Sequence, residues 1–155
     1  MKNSRKGFTL VELLIVIVVI GVLSTMMMLS STEAVTSAKA SNIVSNLRNM
    51  KTAALAWYAD NLNSVTGTSF KLADQADNIK KYMSNEALPD GYGFVGSASD
   101  NSWYVFYNGT DISGSNSRVA EKLDAKKSAV GIYAEANTSS TSTIVSQKAA
   151  YMFIR

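Results

Sequence analysis

Residues 6–29 read KGFTLVELLIVIVVIGVLSTMMML, and this stretch decides how the chain folds because it is a long apolar run interrupted by a single charge. Counted from Phe8 to Leu29 the run holds 22 residues, which at the helical rise spans roughly 33 Å, about the hydrocarbon thickness of a bilayer. The one charge is Glu12. A carboxylate at the centre of a membrane span costs about 2.5–3.5 kcal/mol, less near an end, so Glu12 calls for a partner that the run itself, free of basic residues, lacks. Ahead of the run stand Lys2, Arg5 and Lys6. Short basic flanks stay cytoplasmic, which sends the chain from Ser30 onward to the other side of the membrane.

Past the run the pattern turns one-sided. Ala40, Ile43, Val44, Leu47, Met50, Ala54, Trp57 and Tyr58 recur at three- and four-residue spacing, with Lys39, Asn42, Arg48, Lys51 and Asp60 off that face. The helix is therefore expected to continue to Leu62, roughly 80 Å of helix, far more than a bilayer needs. Its outer half must lie against a globular body, with Met50, Trp57 and Tyr58 as core residues under a sheet.

The remainder divides into short elements. Asn63-Ser64 and the polar segment 66–69 end the long helix. Leu72, Ala73, Ala76, Ile79, Tyr82 and Met83 predict a second helix that stops before Pro89. Aromatic and β-branched runs at 92–95, 103–107, 130–134 and 149–154 predict antiparallel strands. Asn108-Gly109 is a tight-turn signal leading into a polar loop over 110–117, and Val119, Ala120 and Leu123 predict a short helix between strands. The fold class expected is α+β: one long N-terminal helix on a sheet of about four antiparallel strands.

Composition limits the chemistry. The 155 residues contain no cysteine and no histidine, so no disulfide can form, and zinc sites and Ser-His catalysis lack their side chains. The net charge of +3 comes from 15 basic against 12 acidic residues. Lys2, Arg5 and Lys6 account for that excess, and without them the signs balance. Lys80-Lys81 and Lys126-Lys127 have acidic neighbours, so the sequence forms no basic stripe and gives no support to nucleic-acid binding.

The leader with Lys2, Arg5 and Lys6, the Gly7-Phe8 junction, the run Thr9-Leu10-Val11-Glu12-Leu13 and the apolar helix to Leu29 together resemble the N-terminal signature of the type IV pilin family. That family includes the pseudopilins of type II secretion. The resemblance implies cleavage by a prepilin peptidase between Gly7 and Phe8, and N-methylation of Phe8. It implies that Glu12 meets the N-terminal amine of a neighbouring subunit, a charge that neither lipid nor its own helix is expected to satisfy. It also implies residues 1–7 as cleaved leader, 8–30 as membrane and filament-core helix, and 31–155 as an extracytoplasmic pilin domain. Implied partners are copies of the same or a related pilin, the peptidase, an inner-membrane platform protein and an assembly ATPase. No enzymatic activity, cofactor or metal is implied. Localisation follows: a single-pass inner-membrane precursor, then an extracellular pilus, or a periplasmic filament for a pseudopilin.

Departures from the family pattern also matter. The cysteines that close a C-terminal loop in many major pilins are absent, and Leu29 stands where many pilins carry a proline. Gly21 matches a glycine frequent in the family and is the expected point of helix melting, with Ser24, Thr25, Ser30 and Ser31 competing for backbone hydrogen bonds. Competing readings are weaker. A secretory signal cut near Ala38-Lys39-Ala40 would have too long an apolar region, since such regions run about 7–15 residues. A plain single-span anchor leaves Glu12 unexplained, although a membrane-anchored binding module that never polymerises remains an alternative of another class. Sequons at Asn108 and Asn137 are of a kind that polar loops often carry by chance, and Asp100 and Asp111 are too sparse for a calcium loop.

Overall fold

The structure, a computed structural model, describes residues 7–65, 71–84, 87–96, 102–114, 117–135 and 147–154, except the side chains of Leu29 and Ser64. Helix α1 runs Leu10–Asp60 without a break, 51 residues. The chain divides into two compact units, Met1–Val35 and Thr36–Arg155. In the first, α1 packs against no other element among the described residues: Leu10 is 79% exposed, and the apolar side chains through Leu23 are all at least half exposed. Such a surface far exceeds what a water-soluble monomer leaves uncovered. Length and composition suit a membrane crossing.

In the second unit, α1 buries the predicted stripe. Ala40, Ile43, Val44, Leu47, Met50, Ala54 and Trp57 are buried, joined by Ala53 and Thr36. Tyr58 is half-buried, its ring edge-on to that of Trp103 with centroids 5.4 Å apart. The helix ends at Asp60, where the Asn61 side chain and its backbone N–H both donate to the Trp57 carbonyl, at 2.9 and 3.1 Å.

Four strands form an antiparallel sheet in the order β1-β2-β4-β3, with β1 Tyr92–Val95, β2 Tyr104–Tyr107, β3 Ile132–Tyr133 and β4 Ala150–Phe153. The centre is β2, paired Tyr92↔Tyr107 to β1 and Tyr104↔Phe153 to β4. Alternation puts Phe94, Val105, Tyr107, Ile132, Ala150 and Met152 in the core. The α+β architecture is the expected one.

Several boundaries differ from expectation for identifiable reasons. Val130 belongs to helix α4, Arg118–Val130, which runs longer than its three apolar positions suggested. Ser117 caps it by accepting from the Ala120 N–H, and Gly131 ends it in the left-handed region, its N–H on the Lys127 carbonyl at 2.9 Å. Strand β3 is thereby cut to two residues. The second helix is a 3-10 turn, Leu72–Gln75, followed by short α2, Ala76–Lys80. No hairpin forms at Asn108-Gly109, because Gly109 instead precedes the single-turn α3, Thr110–Ser113. Asn108 lies exposed beside it, and Asn137 and Asp100 lie outside the described residues.

Gly91 and Gly109 hold the β1 start against the β2 end. The Asn108 N–H donates to the Gly91 carbonyl at 2.9 Å, and Gly91 has φ +82°. A Cβ on Gly91 would sit 2.7 Å from the Gly109 Cα. Gly91→Ala should therefore lose about 1–3 kcal/mol through left-handed strain plus a backbone clash. Urea unfolding in detergent checks this against Gly114→Ala, whose Cβ meets nothing within 4 Å.

Asp111 bridges α3 to α1. The Lys39 ammonium donates to it at 2.7 Å and the Tyr107 hydroxyl at 3.2 Å, and the Ser117 hydroxyl donates to its backbone carbonyl. The Lys39 hydrogen bond holds the Asp111 carboxyl below its usual range, while burial, with Asp111 beside it, pushes the Tyr107 hydroxyl up to about 12. A raised tyrosine stabilises fully below its unfolded value near 10 and loses that contribution as pH climbs to about 12. Stability should decline across that window in wild type and less steeply in Tyr107→Phe, as read by denaturant unfolding at pH 9 to 12.

Candidate functional site

The candidate site is the N-terminal end of α1. Thr9 is its N-cap: the Leu13 N–H reaches the Thr9 carbonyl at 3.2 Å, closing the first helical ring. Around that turn Thr9 and Glu12 form a reciprocal capping box. The Thr9 N–H and Thr9 hydroxyl both donate to Glu12 Oε2 at 2.8 Å, and the Glu12 N–H donates to Thr9 Oγ1 at 3.2 Å.

This arrangement corrects one expectation: the helix of Glu12 itself supplies two donors to its carboxylate. The spacing T-x-x-E ahead of an apolar run carries this signal, and Thr9, read in the sequence only as part of the run Thr9-Leu10-Val11-Glu12-Leu13, is the residue that caps the helix. The satisfaction is one-sided. Both intrachain bonds fall on Oε2, and Oε1 accepts from no group among the described residues. An anionic group at a helix N-terminus is also favoured by the helix dipole, which adds to the reason for its placement here.

Phe8 lies one residue ahead of the cap and is 90% exposed. Gly7 is exposed too, and a Cβ built on it meets no atom within 4 Å. Among the described residues nothing in the packing requires glycine at that position. The structure thus places Gly7, Phe8 and Glu12 within one helix entry, whereas Lys2, Arg5 and Lys6 lie outside the described residues.

Gly21 sits within an unbroken α1, its Cβ position equally open. Around it the hydroxyls fold back onto the helix: Ser24 donates to the Ile20 carbonyl at 2.8 Å, Thr25 to Val22 at 2.7 Å and Ser31 to Met27 at 3.1 Å. Thr32, which the sequence reading did not name, does the same to Met28 at 3.0 Å. In an apolar medium these bonds hide polar hydrogens that lipid cannot satisfy.

Elsewhere, Asp111 is already engaged by Lys39 and Tyr107. Among the described residues no group of three or more acidic side chains is placed to hold a metal ion.

Residues 2–28 match the family model of the prokaryotic N-terminal methylation motif. Comparison with curated proteins and with solved structures gave no match.

Proposed function

We propose, for a chain that carries the type IV prepilin and pseudopilin signature at residues 2–28, that it is the structural subunit of a type IV pilus. The observation that supports this reading is a helix entry in which Glu12 keeps one carboxylate oxygen open at the head of a helix whose apolar first part, Leu10 to Leu23, is exposed. Cleavage after Gly7 creates a new amine on Phe8, and in a bundle of such helices that amine on one subunit is the complement of the open Glu12 oxygen on the next. Residues 1–7 are then leader, 8–30 the membrane and filament-core segment, and 31–155 the extracytoplasmic domain.

The reading makes the subunit a polymer component with no catalytic role, and the matched motif is a structural one. Prepilin peptidase processes it, and a platform protein and ATPase move it from the inner membrane into the filament. Each apolar side chain transferred from lipid to a neighbouring helix gains little hydrophobic energy, since lipid tails are equally apolar. The charge pair therefore selects register, and helix packing supplies contact. Gly21, about 1 kcal/mol poorer than alanine in a helix, is the point where α1 yields if assembly requires local unwinding.

The test is to shear filaments from intact cells and take the intact mass of the protein in the sheared and membrane fractions. Abundant sheared protein beginning at methylated Phe8 is the expected result. Processed protein confined to the membrane fraction would replace the pilus with a type II secretion pseudopilin, and an uncut leader would replace both with an anchored binding module.

A further inference from the structure

In the Thr36–Arg155 unit, α1 borders an open cavity of about 460 Å³ lined by Arg48, Lys51 and Leu55, with Val130, Tyr133 and Phe153 opposite. An adjoining hollow of about 320 Å³ shares Arg48 and Val130 and adds Lys126. Here the fold brings Lys126 beside Arg48 and Lys51, from which the sequence keeps it far apart. No carboxylate lines either hollow, and among the described residues none pairs with Arg48, Lys51 or Lys126. The groove has an apolar floor, Leu55 being 38% exposed, and a cationic rim.

A surface of opposite character lies at the C-terminal end of the same helix. Tyr82 donates to Asp60 Oδ2 at 2.9 Å and so joins the second residue after α2 to the last residue of α1. Beside them stands Leu62, 53% exposed, with Tyr82 itself 41% exposed. This knob carries two exposed apolar side chains and one carboxylate, with Lys81 next to Tyr82 in the chain, and the carboxylate is the complement of the groove's cations. Nine residues separate Lys51 from Asp60, roughly 13.5 Å along the helix, so a chain's own knob cannot enter its own groove.

We propose that the Asp60-Leu62-Tyr82 knob of one subunit seats in the Arg48-Lys51-Leu55 groove of a second copy displaced by about that distance along α1. The inference rests on the polymer reading. Asp60 meets Arg48 and Lys51, and Leu62 covers Leu55 and Val130. Because groove and knob are different patches, the contact is heterologous and propagates into an open filament, as a self-complementary patch would not.

The chain has no cysteine, so introduced thiols report alone. Filaments of Lys51→Cys with Asp60→Cys should oxidise to a ladder of covalent oligomers on a non-reducing gel, lost on reduction. The two sites are too far apart in one chain for an internal disulfide, whose Cα atoms must lie within about 7 Å. Filaments giving no ladder, or no more than a Glu121→Cys with Asp60→Cys control, would overturn the contact. Charge reversal reads it independently of the thiols. Lys51→Glu and Asp60→Lys should each lower sheared filament yield several-fold, and the double variant should recover at least half of it. Singles that assemble like wild type, or a double as poor as the singles, would also overturn it and leave the groove to some other anion. Wild-type protein that keeps its leader uncut and is absent from the sheared fraction would sink the polymer reading and this contact together; wild-type filaments with the negative results above would sink the contact alone.

Discussion

Glu12→Val should reduce sheared filaments at least roughly 100-fold while the protein stays in the membrane. Removing one partner of a buried ion pair costs about 3–5 kcal/mol, and on the proposed reading the substitution leaves the Phe8 amine of the neighbouring subunit charged and unpaired in an apolar surround. The substitution simultaneously removes the acceptor of both Thr9 donors. A lost cap costs about 0.5–2 kcal/mol, but it acts within one chain and weakens the first turn only. Two further variants separate these effects. Thr9→Val loses the hydroxyl half of the box yet keeps the carboxylate, and should assemble with a loss of less than about tenfold. Glu12→Asp keeps the charge on a shorter arm and should fall between the two. Normal filament yield from Glu12→Ala would end the register role. A Thr9→Val defect as deep as that of Glu12→Val would move the role from the interchain pair to the capping box.

The second large effect is expected at Gly7. In this chain Gly7 is exposed, with open space where a Cβ would stand and no positive φ, so Gly7→Val should leave the fold and the membrane insertion intact. On the proposed reading the demand for glycine lies outside the subunit, in a peptidase that brings its own groups close to the scissile backbone. Cleavage should therefore drop at least about tenfold, a loss of roughly 1.4 kcal/mol in transition-state binding. The intact mass would retain residues 1–7, and the sheared fraction would be empty. Gly21→Ala is the matched control: it is equally open, so processing should be normal. Normal processing of Gly7→Val, with a mature chain beginning at Phe8, would show that the peptidase reads another feature of the segment.

Much of this protein was legible before any coordinates, because its decisive signals are local. Helix periodicity from Ala40 to Trp57 depends only on the 3.6-residue repeat, and every apolar member of that stripe except the half-buried Tyr58 is fully buried. Apolar length and an isolated carboxylate similarly identify the 8–29 segment with no reference to packing. The capping box was legible in principle too, since T-x-x-E is a local spacing. A carboxylate in a membrane segment, however, calls for a charged partner, which points to other chains rather than to Thr9.

Tertiary structure decided whatever depended on residues distant in sequence. The strand at 130–134 shrank to Ile132–Tyr133 because α4 claimed Val130 and needed Gly131 as its left-handed cap, an outcome of competition between two elements for the same residues. Asn108-Gly109 did not become a hairpin turn because β2 pairs with β1 and β4, so the chain must leave the sheet there. Asp111 found Lys39 across 72 residues. Likewise Arg48 and Lys51 reach the same groove system as Lys126 only through the packing of α4 beside α1, which no charge count along the chain expresses. The sequence by itself determined the apolar helix, its cap and its buried face, since each follows from the periodicity and hydrogen bonding of neighbouring residues. Only the tertiary structure decided the strand order, the ion pair and the groove, since each depends on which distant surfaces gain most by excluding water together.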